Sequence, residues 1–280
     1  MARRRKIANA VCYVVLILLS IIWLFPFVAL VLQSFRGENS GMVSYLVPKQ
    51  WSMANYRFLF GSGSKFLKWY GNTLIIALVV AVCQTMVVIC VSYALSRMRF
   101  QGRKLLMNIW LVLGMFPGFL TMICLYYLLK QMGLTEAGAV PGLILISVAS
   151  SGMGYYVCKG YFDTIPRALD EAAILDGATR AQILTKMIIP MSKPIIIYTA
   201  LVAFMGPWCD YIFASYVAFG HEDSYNVAVA MTRWVWTNDY QGYFTRFCAG
   251  GILVAIPVTI LFMCLQKYYV SGVTGGAVKG

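Results

Sequence analysis

YFDTIPRALDEAAILDGATRAQILTKMIIPMSKP, from Tyr161 to Pro194, is a polar island between two apolar stretches. Its spacing predicts two short helices joined by a turn. Thr164 can cap the first, with Ile165 or Pro166 at its start, because a hydroxyl accepts an orphan N–H and proline needs no donor in a first turn. Gly177 suits the left-handed residue that ends a helix. Thr179 followed three residues later by Gln182 is a capping-box signature for the second helix. Pro190 and Pro194 mark its hand-over to the next apolar run. Both helices are two-faced. Ala168, Leu169, Ala172, Ala173 and Leu175 oppose Arg167, Asp170 and Glu171 in the first; Ala181, Ile183, Leu184, Met187 and Ile188 oppose Arg180, Gln182, Thr185 and Lys186 in the second. A helix–turn–helix tied down at both ends is a stiff knob, and a stiff knob can transmit force.

Outward from this segment the chain is apolar. Residues of hydrophobic type make up 60% and charged ones 12%, where a soluble domain carries roughly 25% charged, and the mean hydropathy is +0.74. Runs such as Val11–Leu32, Leu74–Val91 and Ile252–Leu265 approach or exceed the roughly 20 residues that cross a hydrocarbon layer about 30 Å thick. The expectation is an all-α integral membrane protein of six transmembrane helices, near 11–33, 72–96, 105–129, 140–160, 195–218 and 247–268, with both termini cytoplasmic. The first run is longer than a cleaved signal's apolar region and reads as an uncleaved span.

The net charge of +13 is distributed as a membrane protein distributes it, and no nucleic-acid partner is expected. Arg3–Lys6, Arg97 to Lys104 and Lys159 to Lys193 flank apolar runs; with the N-terminus inside, 15 Lys and Arg fall on the inner side and 8 on the outer. Five of those eight lie in the first outer loop, residues 34–71. That loop carries Trp51, Tyr56, Trp69 and Tyr70, and a second outer loop, 219–246, carries His221, Glu222, Asp223, Trp234, Trp236, Asp239 and Tyr240; aromatics there read as interfacial anchors or as contacts to an external partner or sugar. Ala77, Ala81 and Thr85, four apart, allow close helix approach. Pro117, Gly118 and Pro257 would break hydrogen-bond ladders inside spans. Eight scattered cysteines lack a CxxC pair and behave as small hydrophobes. A single histidine leaves no His-based metal site or catalytic dyad.

Within the knob, Glu171-Ala172-Ala173, three residues, Gly177, nine residues, then Met187-Ile188-Ile189-Pro190 resembles the EAA loop of bacterial ABC importer permeases, with methionine and isoleucine replacing two aliphatic residues of that pattern. The longer EAAILDGAT string is similar to the MalG-like carbohydrate permeases. So are Tyr93-Ala94-Leu95-Ser96-Arg97, Trp208-Cys209-Asp210, and the ending from Gln266 to Gly280. The resemblance runs from the second span to the last residue.

It implies an organisation of residues 1–71 as first helix and long outer loop, 72–270 as permease core with coupling loop 161–194, and 271–280 as a cytoplasmic tail. The implied partners are a second, MalF-like permease, two ATPase subunits, an extracytoplasmic sugar-binding protein, an oligosaccharide and the lipid bilayer. ATP and magnesium would sit on the ATPases and no cofactor on this chain, which has no G-x-x-x-x-G-K-[ST] loop. Asp170, Glu171, Ala172, Ala173, Gly177, Ile189 and Pro190 would form the ATPase-coupling surface. No residue is expected to be catalytic, since HExxH, GxSxG and paired intramembrane carboxylates are absent.

Asp210 is the one acidic residue inside an expected span. Ionisable groups there are expensive and point to a cavity or pathway, so Trp208, Asp210 and Tyr211 are substrate-pathway candidates. Capping of a broken helix near Gly206-Pro207 is the structural alternative. An ion-gradient-driven secondary transporter is the competing function, but such proteins usually hold several intramembrane charges.

Overall fold

Long apolar stretches that must satisfy every backbone polar group without water can only become helices or closed barrels, and this chain takes the first course. The computed structural model describes residues 2–38, 45–115, 117–236 and 240–275. Among them the one extended pairing is an antiparallel bridge between Arg36 and Trp51. In chain order the helices are α1 (Ala2–Ser34), α2 (Ala54–Phe60), α3 (Phe66–Arg97), α4 (Arg103–Gly114), α5 (Gly118–Gln131), α6 (Ala139–Ala149), α7 (Gly152–Asp163), α8 (Arg167–Leu175), α9 (Arg180–Ile183), α10 (Ile189–Met191), α11 (Lys193–Cys209), α12 (Ile212–Val217), α13 (Val227–Trp236) and α14 (Tyr240–Gly275).

Four stretches are long and apolar enough to cross a bilayer: Asn9–Ser34, Phe66–Arg97, Glu136–Asp163 and Tyr243–Lys267. Two bent pairs raise the number to six if each is one span. The stretch expected at 105–129 is α4 and α5, which turn by 105°. Pro117, at φ −57° and ψ 121°, leaves the helical region there and cannot donate an N–H. The stretch expected at 195–218 is likewise divided, with Asp210 extended at ψ 93° between α11 and α12. Pro207 weakens the ladder just before this break. The Asn226 amide donates to the carbonyls of Pro207 at 3.4 Å and Asp210 at 2.6 Å, replacing lost helical partners.

The chain divides into two compact units. Met1–Leu67 with Met231–Ile256 forms one. Its α1 leaves Trp23 74% and Ile22 66% exposed and buries none of its apolar window, a surface that only lipid or another protein can solvate. Arg36, counted in the sequence as one more outer-loop cation, is 1% exposed. It donates to the carbonyls of Tyr45 and Leu46 at 3.0 and 3.1 Å and to Gln33 at 2.6 Å, and its guanidinium lies 3.5 Å from Glu38. Its charge staples a loop. Trp234 stacks on Phe66 and Tyr243, and Arg246 lies 3.9 Å over the ring of Phe58. Asp239 and residues 276–280 lie outside the described residues.

Lys68–Ala230 with Pro257–Gly280 forms the other unit. In it the loop before α13 is bolted to the start of α3. Trp69 donates to Glu222 O at 2.8 Å, Asn72 to Asp223 O and Tyr225 O at 2.9 Å, and Thr73 Oγ1 accepts the Val227 N–H at 2.8 Å. The lone His221 pairs with Ser224 Oγ at 3.0 Å. Several aromatic and polar residues expected at a membrane interface are thus structural ties.

Candidate functional site

The 161–194 segment begins where α7 ends. Thr164 does not cap the next helix: its hydroxyl turns back to Tyr161 O at 2.7 Å, and α8 starts at Arg167 after an uncapped Pro166. Proline's fixed φ pre-sets that start without a donor. Gly177 has φ +81°, the left-handed conformation expected of it. Thr179 and Gln182 form both halves of a capping box, at 2.8 and 3.3 Å. Beyond α9 the backbone widens into a π turn over Leu184–Ile188, where the Ile189 N–H reaches Leu184 O. Pro190 follows immediately; in a regular helix its ring would press on the carbonyl of Lys186. The segment then bends 85° into α11.

Gly177→Ala is expected to cost about 1 kcal/mol, because a Cβ penalises this conformation while nothing lies within 4 Å to clash with it. Gly177→Asn should cost less. Thermal unfolding of the purified protein checks this, and an alanine variant melting with the native protein would remove the conformational argument.

Neighbouring acidic residues in α8 part company. Asp170 turns inward, its Oδ2 3.1 Å from Arg97 Nε, with side chains 14% and 5% exposed. Arg97 also donates to the carbonyls of Phe162 and Ile165, both at 2.9 Å. Arg167 donates to Ser96 O at 3.1 Å rather than to Glu171, and Ser96 Oγ donates to Asp163 at 2.6 Å. Ala173, Ile183 and Ile188 are buried with Phe162, Ile165, Tyr93 and Cys158. The apolar stripe of α8 therefore does not all face inward: Ala173 does, whereas Leu169 is 37% and Leu175 89% exposed, and Ile174 beside it is 56% exposed. Glu171 and Ala172 are exposed, and among the described residues Glu171 has no ion-pair partner. A cleft of about 390 Å³ lies beside this tip, lined by Ala173, Gly177, Gln182, Ile183, Lys186 and Met187. Ile189 is half-buried and Pro190 exposed.

The other candidate residues lie elsewhere in the same unit. A cavity of about 350 Å³ is walled by α3, α6 and α11 and includes Asp210. Trp208 does not line it. That ring is 4% exposed, packed edge-on against Tyr70 at 5.2 Å and tilted against Phe204 at 6.0 Å. Tyr211 is half-buried beside the break and also off the cavity wall. Asp210 Oδ1 accepts the Ala214 N–H at 3.4 Å, an end-cap for α12. Sequence reasoning missed Gln84, Ser147 and Ser150 on this wall; a polar residue at i, i+4 or i+7 within an apolar run was the available signal. Among the described residues no three His, Cys, Asp or Glu side chains are placed to hold a metal ion.

These helices follow a known course. A chain of the bacterial ABC transporter involved in import of the acidic polysaccharide alginate superposes with a TM-score of 0.79, covering 95% of this chain and 98% of that one at 23% identity. The same transporter with a pentasaccharide-bound periplasmic protein gives 0.64 at 18% identity, covering 94% and 95%. The fold is that of the matched chain of this transporter. The chain belongs to the family of binding-protein-dependent transport system inner membrane components, whose model matches residues 87–275. It is 35% identical to the maltodextrin transport system permease MdxG of Bacillus subtilis, covering 100% of this chain and 99% of that one. It is also 34% identical to the galactooligosaccharides permease GanQ of the same organism, over 99% and 98%. It is therefore an importer permease of the inner membrane, and an ion-gradient mechanism is not favoured.

Proposed function

We propose that this subunit translocates a carbohydrate, an oligosaccharide by analogy with its maltodextrin and galactooligosaccharide relatives. It works with a second permease, two ATPase subunits that bind ATP and magnesium, and an extracytoplasmic sugar-binding protein. Six spans with both termini cytoplasmic put 15 of its Lys and Arg on the inner side. In that orientation residues 161–194 face the cytosol, between a first helix and outer loop (1–71) and a cytoplasmic tail (271–280) within reach of the ATPases. Residues 72–270 form the permease core.

One observation carries the reading: the exposed Glu171 and Leu175, one turn apart, and Ile174 crown the end of a helix that Arg97 clamps through Asp170. Apolar side chains held rigidly outside a bilayer are a docking surface, and the cleft beside them can take a side chain of the ATPase. Glu171 would meet a cation there, and Ala172 and Gly177 permit close approach. Asp170, Ala173, Ile189 and Pro190 hold the surface in shape. Closure of the ATPases around ATP then moves the knob as a rigid lever, and the helical bundle switches from inward- to outward-facing.

Glu171→Lys should abolish co-purification of the ATPases and reduce uptake by about tenfold or more, the loss expected when a paired charge is reversed at an interface. Retained ATPase with normal uptake would refute the coupling role.

A further inference from the structure

The cavity walled by α3, α6 and α11 holds polar groups that the fold does not use. Along α3, Ile76, Val80 and Gln84 share one face at four-residue spacing; Ser147 and Ser150 come from the end of α6; Asp210 comes from the break after α11. Asn226, also on the wall, is fully engaged: its amide bolts the break and its Oδ1 accepts the Val229 N–H at 2.9 Å. Among the described residues the side chains of Gln84 and Ser147 have no hydrogen-bond partner, whereas the Asp210 carboxylate accepts the Ala214 N–H with one oxygen. Gln84 and Ser147 are half-buried.

Polar side chains in a membrane layer are retained where they meet one another, a backbone, or a wet or occupied cavity. Gln84 and Ser147 come from two separate helices, α3 and α6, and the first two explanations do not apply to them. An amide supplies two donors and an acceptor, a hydroxyl supplies one donor and two acceptors, and a carboxylate supplies only acceptors. Together they complement vicinal hydroxyls, each of which donates and accepts at once. The apolar remainder of the wall, Ile76, Val80 and Leu143, fits the C–H face of a sugar ring.

We infer that this subunit contacts the transported saccharide directly, through a one-sugar pocket in which Gln84, Ser147 and Asp210 bind hydroxyl groups. The inference rests on the carbohydrate reading above and adds the site. Gln84 and Ser147 set how well a sugar unit is held during passage, whereas Trp208, buried against Tyr70, stays outside the pathway.

The test uses the full complex in proteoliposomes with its binding protein, and follows uptake of maltotetraose and of a galactotetraose. Gln84→Met and Ser147→Val remove hydrogen-bonding atoms at nearly constant volume, while Ser147→Thr keeps the hydroxyl. Expected is a fall in uptake of about tenfold for each apolar variant, the loss of one or two hydrogen bonds to substrate, with a changed preference between the two saccharides. Ser147→Thr should stay within about twofold. Binding-protein-stimulated ATP hydrolysis, retained in all three, separates lost contact from lost assembly. Unchanged uptake and preference in both apolar variants overturns the pocket and leaves the carbohydrate reading standing. Equal loss in Ser147→Val and Ser147→Thr, with ATP hydrolysis lost too, also overturns it, as a packing effect. If the unmodified complex imports neither saccharide nor any other from a panel, the carbohydrate reading itself fails.

Discussion

Arg97→Met is expected to destabilise the 161–194 segment by roughly 3–5 kcal/mol, the penalty for removing one partner of a buried ion pair, and to eliminate uptake. The guanidinium holds three groups at once: the Asp170 carboxylate at 3.1 Å and the carbonyls of Phe162 and Ile165 at 2.9 Å. Methionine preserves most of the volume and strands all three. Asp170→Asn should be milder, since Arg97 keeps both carbonyls and no buried charge is left without a partner on the acidic side. The double variant Arg97→Met/Asp170→Leu should cost less than the two single changes summed, because neither charge is then stranded. Trypsin offers a local readout: Arg167 and Arg180 lie at the ends of α8 and α9, and cleavage there should rise in Arg97→Met before the membrane helices melt. Native-like proteolysis in that variant would show that the clamp does not hold the segment.

The second large effect comes from a glycine. A Cβ built on Gly142 would lie 2.2 Å from the carbonyl oxygen of Leu134. The obstacle is backbone, so no rotamer change relieves it, and α6 or the turn before it must move. Gly142→Ala should therefore cost about 3 kcal/mol or more, at or beyond the usual range for overpacking, and sharply reduce the yield of extractable protein. Gly160→Ala in α7 is the matched control. Nothing lies within 4 Å of its added methyl, and alanine favours a helix by up to about 1 kcal/mol over glycine, so that variant should melt at or above the native temperature. Similar melting of both variants would refute the close approach of α6 to the 133–135 turn. Because Leu143 and Ser147 follow Gly142 on the cavity wall, a displaced α6 should also impair uptake in whatever protein survives.

Much of the candidate coupling surface was legible in the residues. Gly177 at φ +81° and the Thr179–Gln182 capping box are local devices, each decided within four residues of chain, and both occur where the sequence placed them. The apolar runs likewise fixed helices as the solution for backbone in lipid. Thr164 departs from its expected role for an equally local reason: its hydroxyl has two neighbouring backbones to serve, and it closes α7 instead of opening α8.

What the sequence by itself determined, then, was a helical membrane protein with a capped polar knob, because composition and near-neighbour hydrogen bonds settle those features. Only the tertiary structure decided that Asp170 faces in and Glu171 out, that Arg36 is a buried staple, that Trp208 is packing, and that Gln84 and Ser147 share a wall with Asp210. Each of those depends on groups brought together from distant parts of the chain, as Ser96 and Arg97 are with Arg167 and Asp170. Which of two adjacent carboxylates is buried depends on where a cation from another helix arrives, and no periodicity within one helix records that.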